Sequence, residues 1–157
     1  LLLLVRRGAL LLNLGRIDMG SIGRVRNATL FGFKPVVSGG PNAEALIGTA
    51  TGANFNITTD QSITLSAGTW RITRVSVTNA SISMTTAVGG FYTGASKTGI
   101  IVVAATQVYS ALTSGGVVLN CTLNIQTNIP SPLIFALTTA QGAAATADIT
   151  VYGVRVL

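Results

Sequence analysis

The chain has 157 residues, 48% of them hydrophobic and only 9% charged, with a formal net charge of +6, no histidine and one cysteine. That length suffices for one domain that buries a core without a metal or disulfide staple, and a lone cysteine rules out an internal disulfide. Without histidine, Ser-His and Cys-His machinery and most zinc sites are excluded, because the usual group that exchanges a proton near neutral pH is missing.

The positive charge sits at the front. Residues 1–34 hold Arg6, Arg7, Arg16, Arg24, Arg26 and Lys34 against Asp18, a balance of +5, whereas residues 35–157 balance at +1. The opening "LLLLVRRGALLLNLG" has two apolar runs broken by Arg6-Arg7 and Gly8, far short of the about 20 residues that span a bilayer. Its charges follow the first leucine run instead of preceding it, which disfavours a signal peptide. Residues 1–34 therefore read as a basic, Leu-rich, extended N-terminal arm with a first strand near its end, at 26–33, and residues 35–157 as the domain. Such an arm meets an acidic partner. Its arginines are interleaved with Leu, Ile and Val, and no aromatic precedes Phe31, so an acidic and apolar protein surface fits better than nucleic acid.

Past Lys34-Pro35, "VVSGGPNAEALIG" reads as a Gly/Pro/Asn loop with one helical turn. Strand signals then dominate, and strands are expected at 53–58, 61–66, 69–79, 87–93, 98–104, 117–126, 132–138 and 146–156, with a helical turn in "TQVYSALTS". In "TWRITRVSVTNA", Trp70 and Ile72 differ in parity from Val75 and Val77, which predicts a bulge near Thr73-Arg74. Phe91 and Tyr92 fall on opposite faces of a short strand. Gly89, Gly90 and Gly94 read as turn or bulge glycines, and Lys97 as an exposed loop charge that guards a sheet edge. Alternation in "VVLNCTLNI" places Cys121 with the small buried residues. In "ADITVYGVRVL" both faces are largely apolar, which suits an inner strand or one covered by a neighbouring subunit. Short strands, frequent turn signals and no long helical period give an all-β fold, an antiparallel β-sandwich whose expected form is a jelly roll.

No motif in this chain carries recognisable chemistry. Asp18, Glu44, Asp60 and Asp148 are scattered, so a glycosidase pair would have to be assembled by folding, and turn or capping roles suit Asp60 and Asp148 better. Gly89 and Gly94 have the glycine separation of a phosphate-binding loop, but Ala95-Ser96 intervene before Lys97-Thr98 and carry the ammonium away from the cradle. "KTG" at 97–99 lacks its S-x-x-K partner because position 94 is glycine. Four N-x-S/T sequons match the abundance of Asn and Thr and read as coincidence. No cofactor or metal is expected.

Three stretches, "AGTWRITRVSVTNASISMTTAVGGFYT", "AATQVYSALTS" and "PLIFALTTAQGAAATADITVYG", together resemble the jelly-roll domains of tailed-bacteriophage virion proteins, in particular capsid decoration, or cement, proteins. The likeness covers about residues 66–154. It implies a non-enzymatic homo-oligomer, often a trimer, bound to the major capsid protein on the outer surface of the capsid. The arm, through Arg6, Arg7, Arg16, Arg24 and Arg26, would tie it to the shell, with no nucleic acid or membrane as partner. The leucine runs of the arm depart from what the resemblance implies. The alternative is a tail or fibre module that binds a host-surface glycan, for which Trp70, Tyr92, Tyr109 and Tyr152 are the available aromatics; Trp70, in an alternating strand, is expected in the core.

Overall fold

The structure, a computed structural model, describes residues 43–124 and 128–156. The expected strand at 26–33 and the rest of the N-terminal arm lie outside the described residues. The described part is all-β: β1 (Glu44–Asn54), β2 (Gln61–Ile63), β3 (Trp70–Thr78), β4 (Val88–Gly94), β5 (Thr98–Val103), β6 (Leu119–Asn120), β7 (Asn128–Ile129), β8 (Leu133–Thr139) and β9 (Thr146–Arg155). They form two antiparallel sheets packed as a β-sandwich. The first runs β1-β9-β3, with β6 and β7 both beside β3, and the second runs β2-β8-β4-β5.

Alternation puts one side chain in two between the sheets. The first sheet contributes Ile47, Ile72, Val75, Val77, Ile149 and Val151; the second contributes Ile63, Phe91, Val102, Leu133, Phe135 and Leu137. Phe135 is the centre of an aromatic group. Its ring lies 4.9 Å from Phe55, 5.1 Å from Phe91 and 6.2 Å from Tyr109, and the last pair meets edge to face. Cys121 is buried as expected.

β9 lies between β1 and β3, as its two apolar faces require. The expected bulge is present: Ile72 pairs with Gly153 and Arg74 with Tyr152, so Thr73 is the extra residue that restores the phase. Phe91 enters the core while Tyr92 joins Ile134 and Ala136 in a second cluster on the outer face, so the two do point opposite ways.

Several expectations are corrected. The part of the expected loop that is described, from Glu44 on, is the edge strand β1, and 53–58 holds only its last two residues. "EALIGTATGAN" has weak strand propensity, but pairing along β9 from Glu44 to Asn54 overrides it. Gly48 is required there, since a Cβ would lie 2.8 Å from the Leu65 side chain and 3.1 Å from the Thr64 carbonyl. The expected helical turn is instead a bridge from Val108 to Val88 followed by a turn closed by Leu112 N–H donating to Tyr109 O at 2.9 Å. Of the described part of that expected strand, 117–124, only Leu119–Asn120 is strand, because the chain crosses there from β3 to β5: Cys121 N–H donates to Val75 O and Asn124 N–H to Val102 O. Gly89 and Gly90 lie inside β4, not in a turn, but the bulge part of that expectation holds, since the register shifts between Val88 and Gly89 against β8 and between Tyr92 and Gly94 against β5. A Cβ on Gly90 would lie 2.3 Å from Val103 O, so glycine is there for close backbone approach.

The loop between β3 and β4 is held by a residue on the far side of the chain. Gln141, nearly buried, accepts from Thr86 N–H at 3.1 Å and Ala87 N–H at 3.2 Å, and donates to Ser83 O at 3.1 Å and Thr85 Oγ1 at 3.2 Å. Its own carbonyl accepts from Thr86 Oγ1 at 2.8 Å.

Candidate functional site

Arg6, Arg7, Arg16, Arg24 and Arg26, the expected arm contacts, lie outside the described residues. The acidic side chains of the domain are placed, and each has a local partner. Glu44 and Arg74 form an ion pair at 2.9 Å, with Thr73 Oγ1 donating to the same carboxylate at 2.7 Å. The Arg74 and Thr73 hydrogen bonds hold Glu44 below its ordinary pKa. Asp148 accepts from Asn79 Nδ2 at 2.7 Å and from Gly52 N–H at 2.8 Å, and its pKa is likewise lowered, first by Asn79. These are carboxylates built to stay ionised, which suits pairing and turn closure and not proton donation. Asp60 accepts from the Ser96 amide at the tip of the β4–β5 hairpin.

That tip decides the environment of Lys97. Ser96 and Lys97 both have positive φ, 55° and 61°, and Thr98 N–H donates to Ala95 O, which makes a two-residue type I′ turn with no glycine at either central position. Lys97 is half-buried, and its Nζ turns back to Thr58 O at 3.4 Å. Lys97 does lie in the loop, and its ammonium is in an exposed environment, but it turns toward the neighbouring loop and not along the β5 edge.

The aromatics are engaged too. Tyr92 and Tyr109 are buried, and Tyr109 Oη donates to Gly89 O at 3.3 Å. Arg74 lies over the Tyr152 ring, 3.7 Å from its centroid, and occupies the face on which a sugar would stack. Trp70 is half-buried against the core, with its indole N–H donating to Ser66 O at 3.0 Å. Burial pushes the Cys121 thiol up to about 12, which leaves it unreactive near neutral pH.

What distinguishes the molecule is the contrast between its two outer faces. Across the first sheet, Thr49, Thr150, Ser76 and Asn120 form one row, and Leu46, Tyr152 and Arg74 another. Ser76 Oγ donates to Asn120 Oδ1 at 2.6 Å within this largely polar face. On the second sheet, Ile134, Tyr92 and Ile101 form a row, with Ala136 beside Gly90 and Ala105 packed against them. Tyr92 is 1% exposed, and its hydroxyl has no hydrogen-bond partner among the described residues. Sequence reasoning placed Tyr92 on the opposite face from Phe91 but gave no sign that it meets Ile134 and Ala136 there, since these come from different strands; Ser62 of β2 continues the same row beside Ile134.

Shallow depressions interrupt the surface of the described residues, two of which are well defined. One, of about 480 Å³, lies where Leu46–Thr49 meet Thr64–Ser66; the other, of about 320 Å³, lies between Asn54, Asn56, Ser81 and Ala144–Thr146. Neither contains an ionisable side chain. Among the described residues no helix is long and apolar enough to cross a membrane. No protein-family model matches the chain, and comparison with curated proteins and with solved structures returns no match either.

Proposed function

We propose that the chain is a non-enzymatic virion structural protein, a capsid decoration or cement protein of a tailed bacteriophage. In this reading a homo-oligomeric β-sandwich sits on the outer surface of the head, and the basic arm fastens it to the major capsid protein. The observation that carries the reading is the nesting of the strand pairs. β1 pairs with β9, β2 with β8, β3 with β6 and β7, and β4 with β5. With β6 and β7 counted as two halves of one strand, this nesting is what one long hairpin rolled up on itself would give, which supports the jelly-roll reading, an architecture frequent in viral capsid domains.

The surface supports a binding role over catalysis or sugar recognition. Its carboxylates are spent on pairing and turn closure, Tyr152 is capped by Arg74, and Trp70 is tied to Ser66. The glycan-binding alternative therefore has no aromatic platform among the described residues. Near-neutrality of the domain beside an arm of +5 matches a division of labour in which the arm supplies the electrostatic attachment. The test is retention on shells assembled from the cognate major capsid protein. Replacing Arg6, Arg7, Arg16, Arg24 and Arg26 by Gln should release the protein at a salt concentration that the unaltered chain withstands. Equal retention of both at raised salt would refute the electrostatic arm.

A further inference from the structure

We propose that the β4–β5 hairpin is a strap latched across the outer face of its own sheet, and that loss of the latch at Asp60 lets it swing open as a unit and uncover Tyr92. β4 and β5 stand at one end of the order β2-β8-β4-β5, yet the tip of their hairpin is held by the segment that leads into β2. Asp60 accepts from the Ser96 amide, and Lys97 Nζ donates to Thr58 O at 3.4 Å. The tip therefore reaches past β8.

The registers show the route it takes. Asp60 directly precedes Gln61, which pairs with Phe135, so it lies level with the middle of β8. β4 pairs with β8 for the last time at Tyr92–Ile134 and runs on toward the tip, away from that level. To arrive at Asp60 the hairpin has to fold back over the sheet. Ile63, Phe91 and Phe135 fill the inner side, which leaves the outer one, where Tyr92, Ile134 and Ala136 are 1%, 6% and 0% exposed. A hairpin lying over these three accounts for that burial.

The hairpin is built to move in one piece. Thr98 N–H and Thr98 Oγ1 both donate to Ala95 O, at 3.2 and 2.7 Å, and Ile100 N–H donates to Thr93 Oγ1 at 2.8 Å, so the tip is bonded to itself. The register against β5 shifts on both sides of Tyr92, and bulges of this kind bend a strand pair, which puts the hinge at Tyr92. Closure is opposed as well as held. The Tyr92 hydroxyl is buried without a partner among the described residues, and water would satisfy it on opening. Against that stand one hydrogen bond to the Asp60 carboxylate and one long bond from Lys97, both in exposed surroundings. Losing the stronger contact moves the balance toward the open form. The strap stands apart from the virion reading and is tested on the full chain without capsid.

The chain has three tyrosines, so nitration by tetranitromethane reads each of them separately in peptide mass spectra. In the unaltered chain Tyr92 and Tyr109, both buried, should be spared while half-buried Tyr152 reacts. Asp60→Ala, at an exposed position, should speed nitration of Tyr92 by about tenfold, as loss of one hydrogen bond to a charged group implies, and leave the other two unchanged. Asp60→Asn, which keeps an oxygen for the Ser96 amide, should speed it less. Amide hydrogen exchange separates swinging from fraying: in Asp60→Ala exchange should quicken at Ser96 and not at Ile100, whose acceptor travels with the hairpin. Tyr92 as unreactive in Asp60→Ala as in the unaltered chain, Tyr92 as reactive as Tyr152 in the unaltered chain, or equal quickening at Ser96 and Ile100 would overturn the proposal.

Discussion

Replacing Gln141 by leucine keeps the side-chain volume but removes both ends of the clamp on the β3–β4 loop. The carboxamide oxygen serves two amides and the nitrogen serves the Ser83 carbonyl and the Thr85 hydroxyl. Thr86, Thr85 and Ser83 are exposed and can turn to water, but Ala87 is 1% exposed, so its amide is left without a partner. An unsatisfied buried donor costs about 1–3 kcal/mol, and the lost bonds to the exposed groups add about 1 kcal/mol. Gln141→Leu should therefore destabilise the fold by about 2–4 kcal/mol. At roughly 4 °C per kcal/mol for a domain of this size, Tm falls by about 8–16 °C. Urea denaturation measures the free energy, and amide hydrogen exchange locates it, with protection lost first at Thr86 and Ala87. A loss below about 1 kcal/mol, or unchanged exchange at those two amides, would show that the loop is held by the packing of Met84 and Leu112 and not by Gln141.

Other expected outcomes are as direct. Lys97→Gly relieves a left-handed residue in the type I′ turn and sacrifices only a long, exposed hydrogen bond, so it should raise stability by about 1 kcal/mol in the same urea assay. Gly90→Ala drives a Cβ into the Val103 and Ala104 carbonyls and should cost about 3 kcal/mol or prevent folding, whereas Gly116→Ala, with open space around it, should be neutral within about 0.5 kcal/mol. The Cys121 thiol ionises near 9.0 when exposed and is pushed up to about 12 by burial, so the unfolded chain releases a proton that the folded one keeps. Stability should thus fall as pH rises above 9.0 toward 12, and Cys121→Ala should flatten the first part of that slope, before the raised Tyr109 phenol contributes its own. At the acid end the lowered pKa values of Glu44 and Asp148 give stability that is present above the unfolded-state values and lost as pH falls through the folded ones, so Asp148→Asn should shallow the acid transition.

Much of the sandwich was legible locally. The class followed from short β-branched runs between turn signals, and the bulge at Thr73 followed from the parity break between Ile72 and Val75. The opposite facing of Phe91 and Tyr92 needed only the two-residue period of a strand. β1 was not legible, because Glu-Ala-Leu and two glycines look like loop or helix until β9 is beside them. The hairpin between the strands at 87–93 and 98–104 was legible, but the left-handed pair Ser96-Lys97 at its tip was not, because neither residue is the glycine that such a position favours. Gln141 was invisible for a different reason: its partners lie more than fifty residues away in the chain.

The amino-acid order by itself determined the period, the scarcity of charge and the concentration of that charge in residues 1–34, because each is a property of neighbours along the chain. Only tertiary structure decided that Tyr92, Ile134 and Ala136 meet on one outer face while the other is largely polar, and which carboxylates are paired. Those features join residues from several strands, and which strands lie side by side is settled by long-range packing that no short window of sequence contains.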